Sequence, residues 1–266
     1  MDTAAHPEAY VQFLLRGRAQ GIRVRQQLSY DLLGARAGMR LLDVGCGIGD
    51  DVRALSALVG ASGRVVGLDN SEAMLAKARE LSAEAQYPGE FVLGDLLALP
   101  FDDATFDGYR AERVLIHCAD PARALVEMAR VTRPGGVVVV TEPDLETLIY
   151  HASQHELVRR LALAHCERVR NGRIGRYLPE LFAQAELTDI QTIPTVAHTT
   201  ELSNYPIILA QRAAQQGVLT AEEAETLIAE WRQRAADGTF LEYGVFFTVA
   251  GSKAQSDALR DAHVGE

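Results

Sequence analysis

The chain holds only three cysteines in 266 residues, Cys46, Cys118 and Cys166, too few and too scattered for a disulfide framework or a zinc site. That scarcity predicts a reducing, cytoplasmic setting. Long apolar runs are missing as well. No stretch reaches the roughly eighteen residues of a membrane span, and the N-terminal stretch lacks an apolar signal core, so no membrane is expected. Lysine is nearly absent, with only Lys77 and Lys253, and acids outnumber bases by 36 to 26 for a net charge of −10. A broad basic face for nucleic acid is therefore not expected, which leaves room for a local patch. Metal chemistry lacks a motif: His151 and His155 are four apart, as on one helix face, but no third ligand follows and no glutamate stands between them as in H-E-x-x-H. No metal is expected. Internal repeats and low-complexity linkers are absent too.

What is present is a glycine loop. Leu41-Leu42-Asp43-Val44 is an apolar strand that empties into Gly45-Cys46-Gly47-Ile48-Gly49, and a helix opens with Asp50 and Asp51. The dinucleotide fingerprint G-x-G-x-x-G needs a third glycine where Asp50 stands, and it sets pyrophosphate on the helix N-terminus. Three carboxylates around the loop repel a pyrophosphate. They suit a nucleoside that carries a sulfonium and an ammonium against one carboxylate. About twenty residues past Gly49, Arg64-Val65-Val66-Gly67-Leu68 ends in Asp69, placed to accept both ribose hydroxyls. A third strand, Phe91-Val92-Leu93, ends in Gly94-Asp95 at the same sheet edge, where an adenine amino group can be bound.

These elements, followed by Phe106-Asp107-Gly108-Tyr109 and by Arg130-Val131-Thr132-Arg133-Pro134-Gly135-Gly136 before a valine strand, resemble the class I S-adenosylmethionine-dependent methyltransferases from about Met39 to Glu142. Glu112-Arg113-Val114-Leu115-Ile116-His117 also looks like the ubiquinone/menaquinone-type branch and its small-molecule relatives. The resemblance implies that Asp43, Gly45, Cys46 and Gly47 frame the methionine moiety and that Asp69 holds the ribose. It sets Asn70 and Met74 near the adenosine, Asp95 and Leu96 at the adenine, and the strand end Glu112-Arg113 beside the methionine moiety. The implied cofactor is S-adenosyl-L-methionine. The implied fold is an α/β, Rossmann-like open seven-stranded sheet, mostly parallel with an antiparallel final hairpin.

Strands over Arg40 to Val44, Arg64 to Leu68 and Phe106 to Ala111 alternate with helices over Asp50 to Val59 and Ser71 to Ala85, the pattern of a parallel sheet with crossover helices. Asp120-Pro121 caps and opens another helix, which ends at Pro134-Gly135-Gly136. Val137 to Val140 reads as a strand buried on both faces. Residues 1–38 form an N-terminal helical arm, helical from about Pro7 to Leu33, and residues 39–266 the methyltransferase domain, with insertions at 143–176 and 199–239. In the first, a helix is expected over Pro179 to Ala185 just beyond it. In the second, helices are expected around Ile207 to Gln216 and Ala221 to Ala235, with a capping box at Thr220 and Glu223. Strands over Thr188 to Ala197 and Tyr243 to Ala250 flank the second insertion, which is expected to act as a helical lid.

In-line methyl transfer is accelerated largely by holding two reactants in register, so a catalytic base is optional. His117, just after the fourth strand, is the candidate; its alternative is a packing role. Asp144 is expected near the acceptor or in loop structure. Tyr10, Phe13, Tyr150, Tyr177 and Tyr205 line an aromatic pocket or belong to the core. Arg16, Arg18, Arg23, Arg25, Arg36 and Arg40 form a solvated helix face or recognise an anionic substrate. The expected function is methyl transfer from S-adenosylmethionine to a small-molecule acceptor, in specialised metabolite or quinone biosynthesis. The rivals are an NAD-dependent oxidoreductase and a non-catalytic nucleoside-binding protein. A homo-oligomer is compatible with the sequence.

Overall fold

The computed structural model of the chain describes residues 20–255. Residues 7–19 of the expected arm, with Tyr10, Phe13, Arg16 and Arg18, lie outside them. Helix α1 (Gln20–Leu33) precedes β1 (Arg40–Val44), α2 (Asp50–Val59), β2 (Arg64–Asp69), α3 (Glu72–Ser82) and β3 (Glu90–Leu93). Strand β4 (Phe106–Glu112) runs into a single 3-10 turn at Leu115–His117 and then α4 (Pro121–Val131). The second half holds β5 (Thr132–Tyr150), α5 (His155–Arg168), α6 (Ile174–Gln184), β6 (Leu187–Thr199), α7 (Asn204–Gln215), α8 (Ala221–Ala236) and β7 (Glu242–Lys253).

The seven strands form one sheet in the order β3-β2-β1-β4-β5-β7-β6. Strands β1 to β5 pair in parallel, and β7 lies antiparallel between β5 and β6. The reversal of strand order between β1 and β4 puts the crevice at the carboxyl ends of those two strands, where α/β sheets bind ligands. One face of the sheet packs under α4 and α6 through Leu125, Met128, Val131, Leu178 and Phe182. The other packs against α1, α2 and α3 through Tyr30, Leu33, Val52, Leu55 and Leu75. Each such fully buried Leu or Met stabilises the sheet by about 1.5–3 kcal/mol. Helices α5, α7 and α8 enclose a separate core around Trp231, Tyr150, Leu161, Leu209 and Leu227, which forms a cap at the carboxyl edge.

Three boundaries differ from expectation. Helix α4 stops at Val131, and Pro134-Gly135-Gly136 belongs to the start of β5 rather than to a helix end. Val138, Val139 and Val140 are buried in β5, which runs on to Tyr150 and so takes in the start of the expected first insertion. Its continuation pairs with β7, with a register shift between Asp144 and Ile149. Helix α6 begins at Ile174, so Pro179 sits inside it rather than at its start. The capping box of α8 is present, with the Thr220 Oγ1 accepting from the Glu223 N–H at 3.0 Å and Glu223 Oε2 accepting from the Thr220 N–H at 2.7 Å.

Candidate active site

A cleft of about 810 Å³ opens at the carboxyl ends of β1, β2 and β4. Gly45, Cys46, Gly47, Asp69, Asn70, Met74, Asp95, Leu96, Glu112, Arg113 and His117 all line it. Of the residues the resemblance assigns to the cofactor, Asp43 is the one that does not.

The glycine loop is dictated by its backbone. Gly45, Gly47 and Gly49 all have positive φ, at 69°, 53° and 77°, a region that costs L side chains energy. Space adds a second constraint, since a Cβ on Gly45 would come within 2.3 Å of a Val114 methyl. The N–H of Gly45 donates to the Leu68 carbonyl at 2.7 Å, which stitches the loop to β2. Asp69, at the end of β2, takes the Gly47 N–H on Oδ2 and the Ser71 N–H on Oδ1, each at 2.9 Å. Burial raises its pKa against the pull of these N–H donors. Each oxygen keeps a second lone pair for another donor.

Asp43 lies beneath the loop, 1% exposed, and contacts Arg110. That arginine is fully enclosed and escaped the sequence reading. Its Nη1 sits 2.9 Å from Asp43 Oδ1 and 3.1 Å from Asp51 Oδ2, its Nη2 2.6 Å from Glu112 Oε2, and its Nε donates to Ser29 Oγ at 2.8 Å. Tyr30 donates to the other oxygen of Asp51, and Arg25 reaches Glu112 at 3.5 Å while stacking over the Phe246 ring at 4.0 Å. Burial drives the Asp43 carboxyl upward against the pull of Arg110, and the charges of Asp51 and Glu112 add to the rise. Arg25 and Arg110 thus face Asp43, Asp51 and Glu112 under the loop. Helix α1 is thus fastened to the sheet through the site's own charges.

The turn after β4 is held from two sides. Glu142 Oε1, at the level of the β4 end, accepts the N–H groups of Val114 at 2.7 Å and Leu115 at 2.6 Å. Its Oε2 is buried without a partner, and burial pushes the carboxyl up to about 8. From above, the Asn171 side chain donates to the carbonyls of Leu115 and Cys118, both at 2.7 Å. His117 rides on this turn, and burial together with the charge of Arg113 lowers its pKa, which keeps the imidazole neutral at neutral pH. Asp144 is 2% exposed and pairs with Arg176, which fixes it in the β5 irregularity.

The remaining candidates are dispersed. His151 is not helical, and its ring contacts the Thr239 carbonyl at 3.2 Å, whereas His155 begins α5, so the two share no helix face. Among the described residues no group of three His, Cys, Asp or Glu side chains is arranged to hold a metal. Tyr150 is buried in the cap core, Tyr177 is exposed, and Tyr205 Oη lies 2.9 Å from His165 Nε2. They do not form one aromatic pocket. No residue of 199–239 lines the cleft. Cys46, Cys118 and Cys166 are buried and free.

The glycine loop, the strand-end acid that holds it and the clamped turn after β4 all lie within residues 35–186, which match a family model described as a methyltransferase domain. The chain belongs to the methyltransferase-domain family. Its fold is the Rossmann-like fold of the class I members. It is 35% identical over 85% of its length to an uncharacterized protein in a transposon of Streptomyces fradiae, covering 66% of that protein. A demethylmenaquinone methyltransferase of Staphylococcus aureus is 44% identical over 44% of the chain and 48% of its own length. The chain thus spans between about half and two thirds of the curated relatives it matches. Among solved structures, a Haemonchus contortus phosphoethanolamine N-methyltransferase in complex with S-adenosyl-L-methionine superposes with a TM-score of 0.57 at 18% identity, over 87% of this chain and 52% of that one. No helix among the described residues is long and apolar enough to cross a membrane.

Proposed function

We propose that this methyltransferase-family protein transfers the methyl group of S-adenosylmethionine to a small-molecule acceptor in a reducing, cytoplasmic setting. The observation that carries it is the charge of the cleft. The glycine loop rests on a buried network of three carboxylates and two arginines, and the first turn of α2 carries Asp50 and Asp51 where a dinucleotide site presents bare N–H groups. Such a wall favours a ligand with a sulfonium and an ammonium over a pyrophosphate. When bound, the cofactor supplies an electrophilic methyl group.

The chain's own residues then have distinct tasks. Asp69 accepts the ribose hydroxyls on its free lone pairs while its other lone pairs keep the Gly47 loop in place. Gly45 and Gly47 let the backbone approach the methionine moiety, and Asp43 acts from below through Arg110. Asn70, Met74, Asp95 and Leu96 bound the adenosine. Glu112 and Arg113 sit at the methionine end. His117, kept neutral, removes a proton from the acceptor where one must leave. The cap built from 199–239 closes over the acceptor side, a role supported by its own core beside the carboxyl end of β5 at Tyr150. Menaquinone-type ring methylation and a tailoring step both fit such a site.

Isothermal calorimetry tests the reading. S-adenosylhomocysteine should bind at least roughly tenfold more tightly than NAD, a gap of about 1.4 kcal/mol. Micromolar NAD binding without adenosylhomocysteine binding would overturn it in favour of the oxidoreductase.

A further inference from the structure

Three arginines line the cleft without an ion pair among the described residues: Arg23, Arg113 and Arg170. This is notable in a chain of net charge −10, where the arginines around them are tied to carboxylates. Arg110 and Arg25 bind Glu112, and Arg173 and Arg176 bind Glu146. Other arginines without an ion pair, Arg36, Arg123 and Arg232 among them, are exposed elsewhere on the surface, whereas these three share one cleft.

Their placement separates them into two groups. Arg23 shares a stripe of α1 with Gln26 and Tyr30, three and seven residues on, and all three face the cleft. Tyr30 on that stripe binds Asp51 of α2, so Arg23 belongs to the glycine-loop side. A cofactor with one carboxylate at its methionine end finds its countercharge there. Arg113 and Arg170 stand on the other side, around His117. Arg113 is held with φ at 57°, in the left-handed region, by its N–H donating to the Thr141 carbonyl at 2.9 Å and by the Glu142 clamp on the next two residues. A non-glycine residue kept in that conformation at a site rim marks an imposed orientation. Arg170 is brought to the same turn by its neighbour Asn171, whose side chain grips Leu115 and Cys118 and whose N–H donates to the Ile116 carbonyl at 3.1 Å. The two attachments therefore hold the backbone of two arginines without ion pairs at the turn that carries His117, and both side chains line the cleft there.

Resting on the methyltransferase reading, we propose that Arg113 and Arg170 form a clamp for an anionic group, a carboxylate or a phosphate, on the methyl acceptor. A guanidinium presents donors in a fork that matches either oxyanion, and two of them select it over a neutral isostere. The acceptor's nucleophile is then delivered beside His117 by a group that itself does not react.

The test uses the full-length protein saturated with S-adenosylhomocysteine, so that the cofactor's own carboxylate is already placed. Inorganic phosphate, benzoate and uncharged benzamide are titrated at constant ionic strength. One of the two anions should bind roughly tenfold or more tightly than benzamide. Which anion wins identifies the acceptor's group. Arg113→Gln and Arg170→Gln should each weaken anion binding about tenfold, Arg170→Gln should leave the affinity for adenosylhomocysteine within about twofold, and Arg113→Lys should restore part of the anion binding. The clamp is refuted if neither anion binds, if the double glutamine variant binds anions as the parent does, or if Arg170→Gln loses adenosylhomocysteine instead. Should the parent fail to bind adenosylhomocysteine, the methyltransferase reading fails by itself. The anion titration of the free protein and its two glutamine variants then still decides the clamp.

Discussion

Replacing Arg110 by methionine removes the one arginine that joins Asp43, Asp51 and Glu112 and leaves only Arg25 on Glu112, while keeping much of the side-chain volume. Arg110 and Asp43 are each 1% exposed, and the Glu112 side chain is 9% exposed, whereas that of Asp51 at 19% recovers part of its hydration. The cost is therefore carried by Asp43 and Glu112. Each loses a charge-assisted hydrogen bond worth about 1.5–3 kcal/mol, a sum of about 3–6 kcal/mol, in line with about 3–5 kcal/mol for breaking a buried ion pair from one side. Against a domain stability of about 5–15 kcal/mol that loss is large but survivable. Urea unfolding followed by circular dichroism measures it. The penalty should also depend on pH with a definite sign. Without Arg110 the Asp43 carboxyl holds its proton more tightly in the folded state, so the deficit is greatest at about pH 8 and narrows at about pH 5. Hydrogen exchange should show α1 losing protection before β1 does, because Ser29 and Tyr30 dock through this network. A destabilisation under about 1 kcal/mol, or one that does not change with pH, would refute the view that Arg110 neutralises the site.

Asp69→Ala should weaken adenosylhomocysteine binding by roughly ten- to a hundredfold in calorimetry, because it removes the ribose acceptor and leaves the Gly47 and Ser71 N–H groups without theirs. Unchanged affinity in a folded variant would exclude it as the ribose ligand. Glu142→Gln keeps an acceptor for the Val114 and Leu115 N–H groups but cannot ionise. The parent carboxyl keeps its proton to about 8 when folded and loses it near 4.5 when unfolded, so parent stability should fall as pH rises through that window, and the variant should lack this fall. Parallel stability profiles for the two proteins would contradict the raised carboxyl. His117→Gln should lower the transfer rate by roughly a hundred- to ten-thousandfold at unchanged cofactor affinity. A loss below about fivefold assigns acceleration to proximity alone.

The glycine loop and its flanking strands were legible because their signals are local. Positive φ, an apolar strand and an acid at the strand end all fall within a few residues, and β1 and α2 begin and end where periodicity predicts. Arg110 was not legible because its partners Ser29 and Asp43 lie 81 and 67 residues away, and an arginine in an otherwise buried strand is explained only by that assembly. Strand β5 was cut short for a similar reason. Thr141-Glu142-Pro143-Asp144 reads as a polar loop until the turn after β4 claims Glu142 and Arg176 claims Asp144. Pro179 signals a helix start, yet α6 begins a turn earlier, where Gly175 passes so close to β5 that a Cβ would lie 2.9 Å from the Glu142 carbonyl. The cap helices were legible from their capping and periodicity. Their separation from the cleft lining was not, since it depends on how three helices share a core.

Strand β7 is the last strand in the chain but lies between β5 and β6 in the sheet. On a ribosome, β5 and β6 are therefore both complete before the strand that joins them exists. Until residues 242–253 emerge, the Val137 to Val140 run presents one unpaired edge beside β4, and β6 has no neighbour in this sheet. A β-branched apolar edge of that kind is a template for pairing with another nascent chain. Synthesis stalled shortly before Glu242 should accordingly yield chains that need a holdase, and release past Lys253 should remove that need in one step.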